Sequence, residues 1–343
     1  MKNKPVFIIA EAGSNWRMGN SQRDMKMAKT LIDIASDAKA DAVKFQTYRS
    51  ESVYVPNAGD SDYLSKSGIK ESINKIFDDL SMPYEMIPEL AAYAKNKNIE
   101  FMSSAFSVND AEKIDPFVSI HKLASFEINH IRLIEFLVKT KKPLIISTGA
   151  CNYDEIDFVV NLVKKTHNDI ALLQCTSKYP CSLEKLNLAV IPIMKNKYKV
   201  PIGFSDHSIE PTIGPCMAIA FGSTIIEKHF TLDKKLPGPD HAFALNPEEL
   251  TNMIQTIRSV SKTNSQDGKI VLDVEEELKK FATRSLQATK NIKKGEILIE
   301  GQNFDVLRPG NQKRGLDAKF LDIVNGKKAK KDINLGSGIN EFE

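Results

Sequence analysis

The segment Val200-Pro-Ile-Gly-Phe-Ser-Asp-His207 belongs to the repeating pattern that decides the fold. It is a short apolar run that ends in polar residues. A helix-compatible stretch at 211–221 follows it, and a second apolar run comes at 224–230. Strand, helix and strand in this order indicate two parallel strands joined by a helical crossover.

The same unit recurs along the chain from residue 6 to residue 260. Strands are predicted at 6–12, 42–48, 100–106, 120–125, 143–149, 170–176, 200–205 and 224–230. The clearest predicted helices are 23–38, 84–95, 133–139, 155–165, 186–197, 211–221 and 247–260. Eight such units predict an α/β fold, a TIM (β/α)8 barrel, which takes roughly 250 residues.

An open doubly wound sheet is the alternative to the barrel. It is disfavoured because the first turn, Gly13-Ser-Asn-Trp-Arg-Met-Gly19, lacks the G-x-G-x-x-G spacing of a dinucleotide site. One connection, 50–82, is unusually long and follows the second strand. In a barrel it would lie on the active-site face, where a long loop commonly forms a lid or substrate wall.

The barrel pattern ends before a second, smaller domain. We predict a catalytic barrel at 1–262, a linker at 263–282 and a small, mainly β domain at 283–343. Strands of that domain are expected in Arg284-Ser-Leu-Gln-Ala-Thr289 and Glu296-Ile-Leu-Ile299, separated by turn residues.

Bulk composition excludes several functions. The 343 residues carry a formal net charge of only +3, which gives no electrostatic reason to bind nucleic acid or a membrane surface. No apolar run approaches the roughly 20 residues of a membrane span. The four cysteines are scattered, so we expect free thiols and a cytoplasmic protein.

Polar residues follow the predicted strands at their C-terminal ends, where barrel enzymes carry catalytic groups. They include Glu11, Lys44, Ser104, Lys122, Ser125, Glu127, Ser147, Ser177, Ser205 and Glu227. Two lysines among several hydroxyls suggest an anionic substrate, with phosphate or carboxylate as the recognised group. The alternative is that Lys44 and Lys122 form structural ion pairs with Glu11 or Glu127.

Two histidines give a sharper signal. His207 and His229 stand at equivalent ends of adjacent predicted strands, which would bring their imidazoles together. Neutral imidazole is the commonest protein metal ligand, and two histidines leave positions for water and substrate. Pro237-Gly-Pro-Asp240 follows the last strand, and it suits either a rigid turn or recognition of sugar hydroxyls.

These motifs resemble those of the sialic acid synthase family, the nonulosonate synthases. The resemblance recurs on every predicted strand and spans nearly the whole chain. Its stretches include Ile8-Ile-Ala-Glu-Ala-Gly13, Ala40-Asp-Ala-Val-Lys-Phe-Gln-Thr47, Phe101-Met-Ser-Ser-Ala-Phe106, His121-Lys-Leu-Ala-Ser-Phe-Glu127, Gly203-Phe-Ser-Asp-His207, Ile226-Glu-Lys-His-Phe230 and Pro237-Gly-Pro-Asp240.

The C-terminal segment is similar to the antifreeze-like (SAF) domain of that family. Arg284-Ser-Leu286 and Asp305-Val-Leu-Arg-Pro-Gly310 carry this similarity. The resemblance implies a domain-swapped homodimer in which this domain caps the barrel of the partner. It also implies that Arg308 reaches the sugar in the partner's site.

The resemblance implies an enzyme that condenses phosphoenolpyruvate with an open-chain 2-acetamido sugar. The sugar would be N-acetylmannosamine or a 2,4-diacetamido-6-deoxyhexose, and the products a nine-carbon 2-keto acid and phosphate. A Mn²⁺ or Mg²⁺ ion would sit on His207 and His229. Residues implied to hold phosphoenolpyruvate are Lys44, Ser104, Lys122, Ser125, Ser147, Ser177 and Ser205. Those implied to face the sugar are Glu11, Tyr179, Asp240 and Arg308, while Glu11, Glu127 and Glu227 are the catalytic candidates.

The chain also departs from the family pattern. Trp16 stands where the family commonly has histidine, and Ser104 where threonine is common. The retained Pro237-Gly-Pro-Asp240 favours the sialic and legionaminic branches over pseudaminic acid. Two other functions compete: an aldolase with a Schiff-base lysine, Lys44 or Lys122, and a catalytically inactive sugar-binding barrel.

Overall fold

The structure, a computed structural model, describes residues 6–60, 71–167, 169–263 and 268–343. The chain divides into two units, Met1–Asn264 and Ser265–Glu343. Most of the stretch predicted as a linker therefore belongs to the second unit, where Asp273–Glu275 and Glu276–Ala282 are helical.

Parallel strands in the first unit close into a barrel in the order β1 to β8. The predicted barrel is therefore confirmed. The strands are β1 (Phe7–Gly13), β2 (Ala42–Thr47), β3 (Glu100–Ala105), β4 (His121–Leu123), β5 (Leu144–Ser147), β6 (Ile170–Cys175), β7 (Ile202–Asp206) and β8 (Ile225–His229).

Helices separate the strands along the chain. They are Ser21–Asp37, Ser50–Val53, Ile73–Leu80, Met86–Asn96, Val108–Ile114, Ile131–Lys139, Tyr153–Lys164, Val190–Tyr198, Ile213–Ala220 and Pro247–Thr263, with 3-10 turns at Asp115–Phe117, Ser125–Glu127 and Leu183–Lys185. Val108–Ile114 was not among the predicted helices. Ser107 caps it by accepting a hydrogen bond from the Asp110 backbone N–H, a local signal that the short apolar pattern does not show.

Alternation along the strands separates the barrel wall into two faces. Residues that point outward pack against the helices in the main core. Residues that point inward near the N-terminal ends form a separate apolar layer of Ile9, Ala42, Met102, Ile145, Ala171, Leu173 and Ile225. The next inward position on most strands is polar, so the polar site rests directly on an apolar floor.

The long connection after β2 is not a plain loop. It contains the helices Ser50–Val53 and Ile73–Leu80, while residues 61–70 lie outside the described part of the chain. Ser72 caps the second helix by accepting from the Lys75 N–H. Tyr54 and Phe77 pack with ring centroids 4.8 Å apart, so the described parts of the connection form one aromatic cluster.

The second unit has a small apolar core and a two-stranded antiparallel sheet. β9 (Ser285–Ala288) pairs with β10 (Phe304–Leu307), as expected for Arg284-Ser-Leu-Gln-Ala-Thr289. The remaining elements are a 3-10 turn at Ala318–Phe320 and a short helix at Leu321–Val324. Leu286, Phe304 and Ile339 are among the buried residues of its core.

The strand predicted at Glu296-Ile-Leu-Ile299 is wrong. The segment makes an isolated bridge between Ile297 and Lys328. Leu298 alone turns into the core, with its N–H donating to the Lys327 carbonyl at 2.7 Å. The segment contributes one buried side chain and one isolated bridge, so it does not form a β-ladder.

In the described parts of the chain, no helix combines the length and apolarity needed to cross a membrane.

Gly203 tests how tightly the apolar floor is packed. A Cβ at this position would meet the Leu173 side chain and would lie 2.7 Å from the Ile225 carbonyl oxygen. We therefore expect Gly203→Ala to lower the free energy of unfolding by about 1–3 kcal/mol, measured by urea denaturation. Adding Leu173→Ala should cost less in this background than in the parent, because it opens the space. Unchanged stability of Gly203→Ala would contradict the packing described.

Candidate functional site

A cavity of about 230 Å³ opens at the C-terminal ends of the barrel strands. Every strand contributes a residue to it, either directly or from the segment that follows. The predicted site residues that line it are Glu11, Lys44, Ser104, Lys122, Ser125, Ser147, Tyr179, Ser205, His207, Glu227, His229 and Asp240. Residues from distant parts of the sequence thus meet where the strand ends predicted they would.

The two buried lysines each bind a serine on a neighbouring strand. Lys44 Nζ donates to Ser104 Oγ at 3.2 Å, and Lys122 Nζ donates to Ser147 Oγ at 2.7 Å. A hydroxyl that accepts from an ammonium keeps its own O–H as a donor. Each pair therefore presents positive charge and a hydroxyl proton together, which suits an anionic oxygen.

Two carboxylates compensate the lysines. Lys44 Nζ lies 2.6 Å from Glu11 Oε2 and 3.9 Å from Glu227 Oε2, and Lys122 Nζ lies 3.8 Å from Glu227 Oε1. The structural ion pair of Lys44 with Glu11, considered from the sequence, thus exists. The pair of Lys122 with Glu127 does not form, because Glu227 takes that place.

The carboxyl groups differ in their affinity for a proton. Burial raises the pKa of Glu11 to about 7, against the attraction of Lys44 and with added repulsion from Glu227. Burial also disfavours the charge of Glu227, but Lys122 and Lys44 outweigh it and lower the pKa. Glu11 can therefore exchange a proton near neutral pH, whereas Glu227 is held as a carboxylate.

His207 and His229 face each other across the ends of β7 and β8, with ring centroids 5.7 Å apart. The pKa of His207 is lowered by burial, and that of His229 is lowered well below its usual range by burial and by His207. His207 Nδ1 donates to the Thr176 carbonyl at 2.8 Å, so Nε2 carries the lone pair.

These features fit a metal ion. His229 Nδ1 is buried without a hydrogen-bond partner among the described residues. Asp240 Oδ2 is the nearest carboxylate oxygen to it, at 3.8 Å. Within the described ranges, no group of three or more His, Cys, Asp or Glu is arranged to hold an ion. Two neutral imidazoles would therefore supply the protein ligands and leave the other positions to water or substrate.

Asp240 and Tyr179 close the histidine side of the cavity. Burial raises the pKa of Asp240 to about 6, against the hydrogen bond from Ser14 and the charge of Lys44. Gly13 has φ +53°, and a Cβ there would lie 3.1 Å from Asp240 Oδ2. The Tyr179 ring lies 4.1 Å from the His207 ring, centroid to centroid. The glycine at the end of β1 thus allows the Asp240 carboxylate to lie close to the β1 backbone.

Three predicted residues lie outside the cavity lining. Glu127 belongs to the 3-10 turn Ser125–Glu127. Burial raises its pKa to about 7, and the charge of Asp110 adds to the shift. Ser177 Oγ is buried without a partner in the described part of the chain and lies against Gly149, beside the hydroxyl of Ser125. Arg308 is an exposed residue of the second unit.

Trp16 and His241 have structural roles. His241 is buried and its Nδ1 lies 2.6 Å from the Thr231 hydroxyl, so it supports the loop after β8. Trp16 is 1% exposed and packs in the main core. The indole therefore does not enter the cavity, and its effect on the substrate can only be indirect.

Several lining residues were not predicted as site residues. Gln46 donates to Glu11 Oε1 at 2.9 Å, and the Cys175 Sγ lies 3.7 Å from His207 Nδ1. Both occupy inward positions at strand ends, a signal that would have found them. The apolar lining of the cavity comes from Tyr54, Phe77, Phe106 and Phe126. Phe106 and Phe126 follow β3 and β4, but Tyr54 and Phe77 lie in the long connection, where no strand end marks them.

Comparison with known proteins identifies relatives of this chain. Residues 31–269 match the sequence model of the NeuB family. A pseudaminic acid synthase of Campylobacter jejuni is 37% identical over 99% of this chain and 97% of its own length. An N,N'-diacetyllegionaminic acid synthase of the same species is 35% identical over 98% of this chain and 100% of its own length.

A solved structure supports the same relationship. The crystal structure of the spore coat polysaccharide biosynthesis protein SpsE of Bacillus subtilis superposes with a TM-score of 0.65 at 36% identity. The match covers 98% of this chain and 94% of that one. The similarity therefore extends over both units of the sequence.

Glu127 generates a testable dependence of stability on pH. Its pKa is raised from 4.5 to about 7, so the folded state retains a proton that the unfolded state releases. Stability is therefore lost as pH rises from 4.5 towards 7. Because each pKa unit corresponds to about 1.4 kcal/mol and the side chain is partly exposed, we expect Glu127→Gln to be about 1–2 kcal/mol more stable than the parent at pH 8.

The measurement is urea unfolding of the parent and of Glu127→Gln at pH 4.5 and pH 8. The two proteins should be equally stable at the lower pH. A variant with the same difference from the parent at both pH values would show that Glu127 does not titrate as described.

Proposed function

The chain belongs to the NeuB family, and we propose that it is a nonulosonate synthase that condenses phosphoenolpyruvate with an open-chain 2-acetamido sugar. It would be a transferase that forms a carbon–carbon bond and yields a nine-carbon 2-keto acid and phosphate. One observation carries the proposal: two Lys–Ser donor pairs and two neutral histidines line one cavity. The relatives named as pseudaminic and legionaminic acid synthases support the same class.

Phosphoenolpyruvate suits the lysine side of the cavity. Its phosphate and carboxylate are both anionic, and Lys44 with Ser104 and Lys122 with Ser147 offer two separate cationic positions. Ser125, Ser177 and Ser205 are assigned to the same ligand as further hydroxyl donors. Ser205 Oγ donates to Glu227 Oε1 at 2.9 Å, so this hydroxyl would have to turn to reach a phosphate.

The histidine side would hold Mn²⁺ or Mg²⁺ on His207 and His229. When bound, the ion supplies Lewis-acid polarisation of the aldehyde oxygen of the sugar. The neutral state of both rings supports this assignment, because a protonated imidazole cannot ligate a cation.

The sugar would lie between Asp240, Tyr179 and Glu11. C3 of phosphoenolpyruvate attacks the aldehyde carbon, and the aldehyde oxygen takes up a proton. Glu11 suits that transfer, because its pKa of about 7 lets it hold a proton at neutral pH. Water then adds at C2, and the bond from C2 to the phosphate oxygen breaks to release phosphate. Glu227 remains a carboxylate and holds the two lysines and Ser205 in place.

The choice of sugar is constrained by the apolar side of the cavity. Tyr54 and Phe77 line the same cavity as the polar groups. Acetamido methyl groups and a 6-deoxy methyl group would pack against these rings, which favours a 2,4-diacetamido-6-deoxyhexose over N-acetylmannosamine. Relatives named for pseudaminic and for legionaminic acid are 37% and 35% identical, so identity does not choose between those branches.

We assign residues 283–343 to an antifreeze-like (SAF) domain that acts in a domain-swapped homodimer. The assignment rests on Arg284-Ser-Leu286 and Asp305-Val-Leu-Arg-Pro-Gly310, which match that domain in the family. Arg308 is exposed at the end of β10. It would therefore be available to reach the sugar in the partner's cavity.

The cytoplasm is the compartment that we assign. All four cysteines are free thiols. Free thiols persist in reducing compartments, and exposed ones tend to be oxidised elsewhere.

The direct test is a panel of substrates. The pure protein with Mn²⁺ and phosphoenolpyruvate should release phosphate with a 2,4-diacetamido-6-deoxyhexose, and more slowly with N-acetylmannosamine. His207→Ala should abolish release while keeping the parent's thermal stability. Mass spectrometry should find the nine-carbon acid. Binding of these sugars without phosphate release would support the inactive sugar-binding barrel instead.

One observation favours the aldolase alternative. Burial lowers the pKa of Lys122, against the attraction of Glu227, and a lysine with a depressed pKa is suited to Schiff-base chemistry. Borohydride added with pyruvate would trap such an adduct on Lys122. We expect no adduct, because Lys122 is engaged by Ser147 and by the Leu123 carbonyl.

The partner role of Arg308 can be tested by complementation. Arg308→Ala and His207→Ala chains are each expected to be inactive alone. After co-expression, a heterodimer has one cavity with intact histidines and the arginine of the other chain. About a quarter of the parent activity should return if half of the dimers are mixed and one of two sites works.

The control is co-expression of His207→Ala with Lys44→Met, which both damage the cavity itself. That pair should stay inactive. No recovery with the Arg308→Ala and His207→Ala pair, despite a dimer in sedimentation, would contradict the action of Arg308 across subunits.

A further inference from the structure

A buried ion pair lies behind the two histidines, on the outer face of the barrel wall. Lys228 Nζ is 2.6 Å from Asp206 Oδ2, and their side chains are 1% and 0% exposed. The two residues are register partners on β8 and β7. The pair thus joins the strands that carry His229 and His207 at their ends.

Each member of the pair immediately precedes one of the histidines. Because side chains alternate along a strand, Asp206 and Lys228 point away from the cavity while His207 and His229 point into it. Both lie outside the cavity lining. A lysine and an aspartate this close to the cavity could be taken for substrate-binding residues. Their outward direction excludes direct contact with a substrate in the cavity.

Ser208 connects the pair to the residue on the other side of His207. Lys228 Nζ donates to the Ser208 carbonyl at 2.7 Å and lies 3.3 Å from its hydroxyl. The Ser208 N–H donates to Asp206 Oδ1 at 2.8 Å, and its hydroxyl donates to Asp206 Oδ2 at 3.1 Å. His207 is therefore flanked on both sides by residues bound to one ammonium group.

The helix that covers the pair leaves space for it. A Cβ at Gly214, in the helix Ile213–Ala220, would lie 3.1 Å from Asp206 Oδ2. The glycine lets the helix backbone lie directly on the carboxylate and keeps water out. A buried ion pair is costly to desolvate, and apolar residues of similar volume often serve stability as well or better. Stability alone therefore does not account for the pair.

We propose that Asp206 and Lys228 are positioning residues that fix the separation and orientation of His207 and His229 for a divalent cation. This inference rests on the proposed metal site. The pair and Ser208 form a clamp that holds the end of β7 and the turn after it against β8. Without the clamp, His207 would gain freedom to move relative to His229.

The test compares Mn²⁺ binding by the full chain, measured by calorimetry without substrate. Replacing both charges, with Asp206→Leu and Lys228→Met together, should weaken Mn²⁺ binding about 10- to 100-fold, as loss of a ligand-orienting partner does. The metal-free variant should unfold within a few degrees of the parent. A control double variant, Asp115→Leu with Lys142→Met, removes the half-buried ion pair between residues that precede β4 and β5, and its Mn²⁺ affinity should not change.

A milder variant covers the case in which the apolar pair does not fold. Asp206→Asn with Lys228→Met keeps an acceptor for the Ser208 N–H and should lie between the parent and the apolar pair in affinity. A folded variant that binds Mn²⁺ as tightly as the parent would overturn the positioning role while leaving the proposed function intact. A parent that binds no Mn²⁺ would overturn the metal site itself, and the inference with it.

Discussion

Four ionisable side chains share the barrel interior at the C-terminal ends of the strands, and the compensation of their charges is the constraint on which the site depends. Glu11, Lys44, Glu227 and Lys122 alternate in sign, with Lys44 2.6 Å from Glu11 and 3.9 Å from Glu227. All four are at least 94% buried. Any one of them alone would carry a desolvation cost of several kcal/mol. Glu227, Glu11 and Lys44 lie on the adjacent strands β8, β1 and β2. Lys122 reaches Glu227 from β4, so each side chain has an oppositely charged partner.

This compensation determines what the cavity can accept. Each lysine lies beside a serine hydroxyl, while burial lowers the pKa of both histidines. An anion therefore finds donors on one side, and a cation finds lone pairs on the other. Phosphoenolpyruvate and the metal-polarised aldehyde that we propose would therefore bind on different sides of one cavity.

Much of the fold and part of the site follow from sequence pattern. The eight strands were predictable because each is a short apolar run with polar residues at its C-terminal end. The closed barrel then brings those polar ends together. His207 and His229 follow from equivalent places on adjacent strands. The pairing of Lys44 with Glu11, by contrast, was only one of two alternatives, because pattern does not give side-chain distances.

The features that sequence pattern did not predict depend on local turns and on contacts between distant segments. Glu127 does not line the cavity; it belongs to the 3-10 turn Ser125–Glu127, and the charge of Asp110 adds to the rise of its pKa. Lys228 and Glu227 are neighbours in sequence but lie on opposite faces of β8. Two aromatic residues that line the cavity, Tyr54 and Phe77, come from the long connection at 50–82, where no helix was predicted. Ile297 and Ile299 looked like strand residues, yet they are 48% and 37% exposed.

The most direct measurement is a crystal structure of the protein soaked with Mn²⁺ and phosphoenolpyruvate. We predict an anomalous peak between His207 and His229, with the phosphate and carboxylate of the ligand beside Lys44, Lys122 and their serines. An ion bound elsewhere, or pyruvate joined covalently to Lys122, would contradict it.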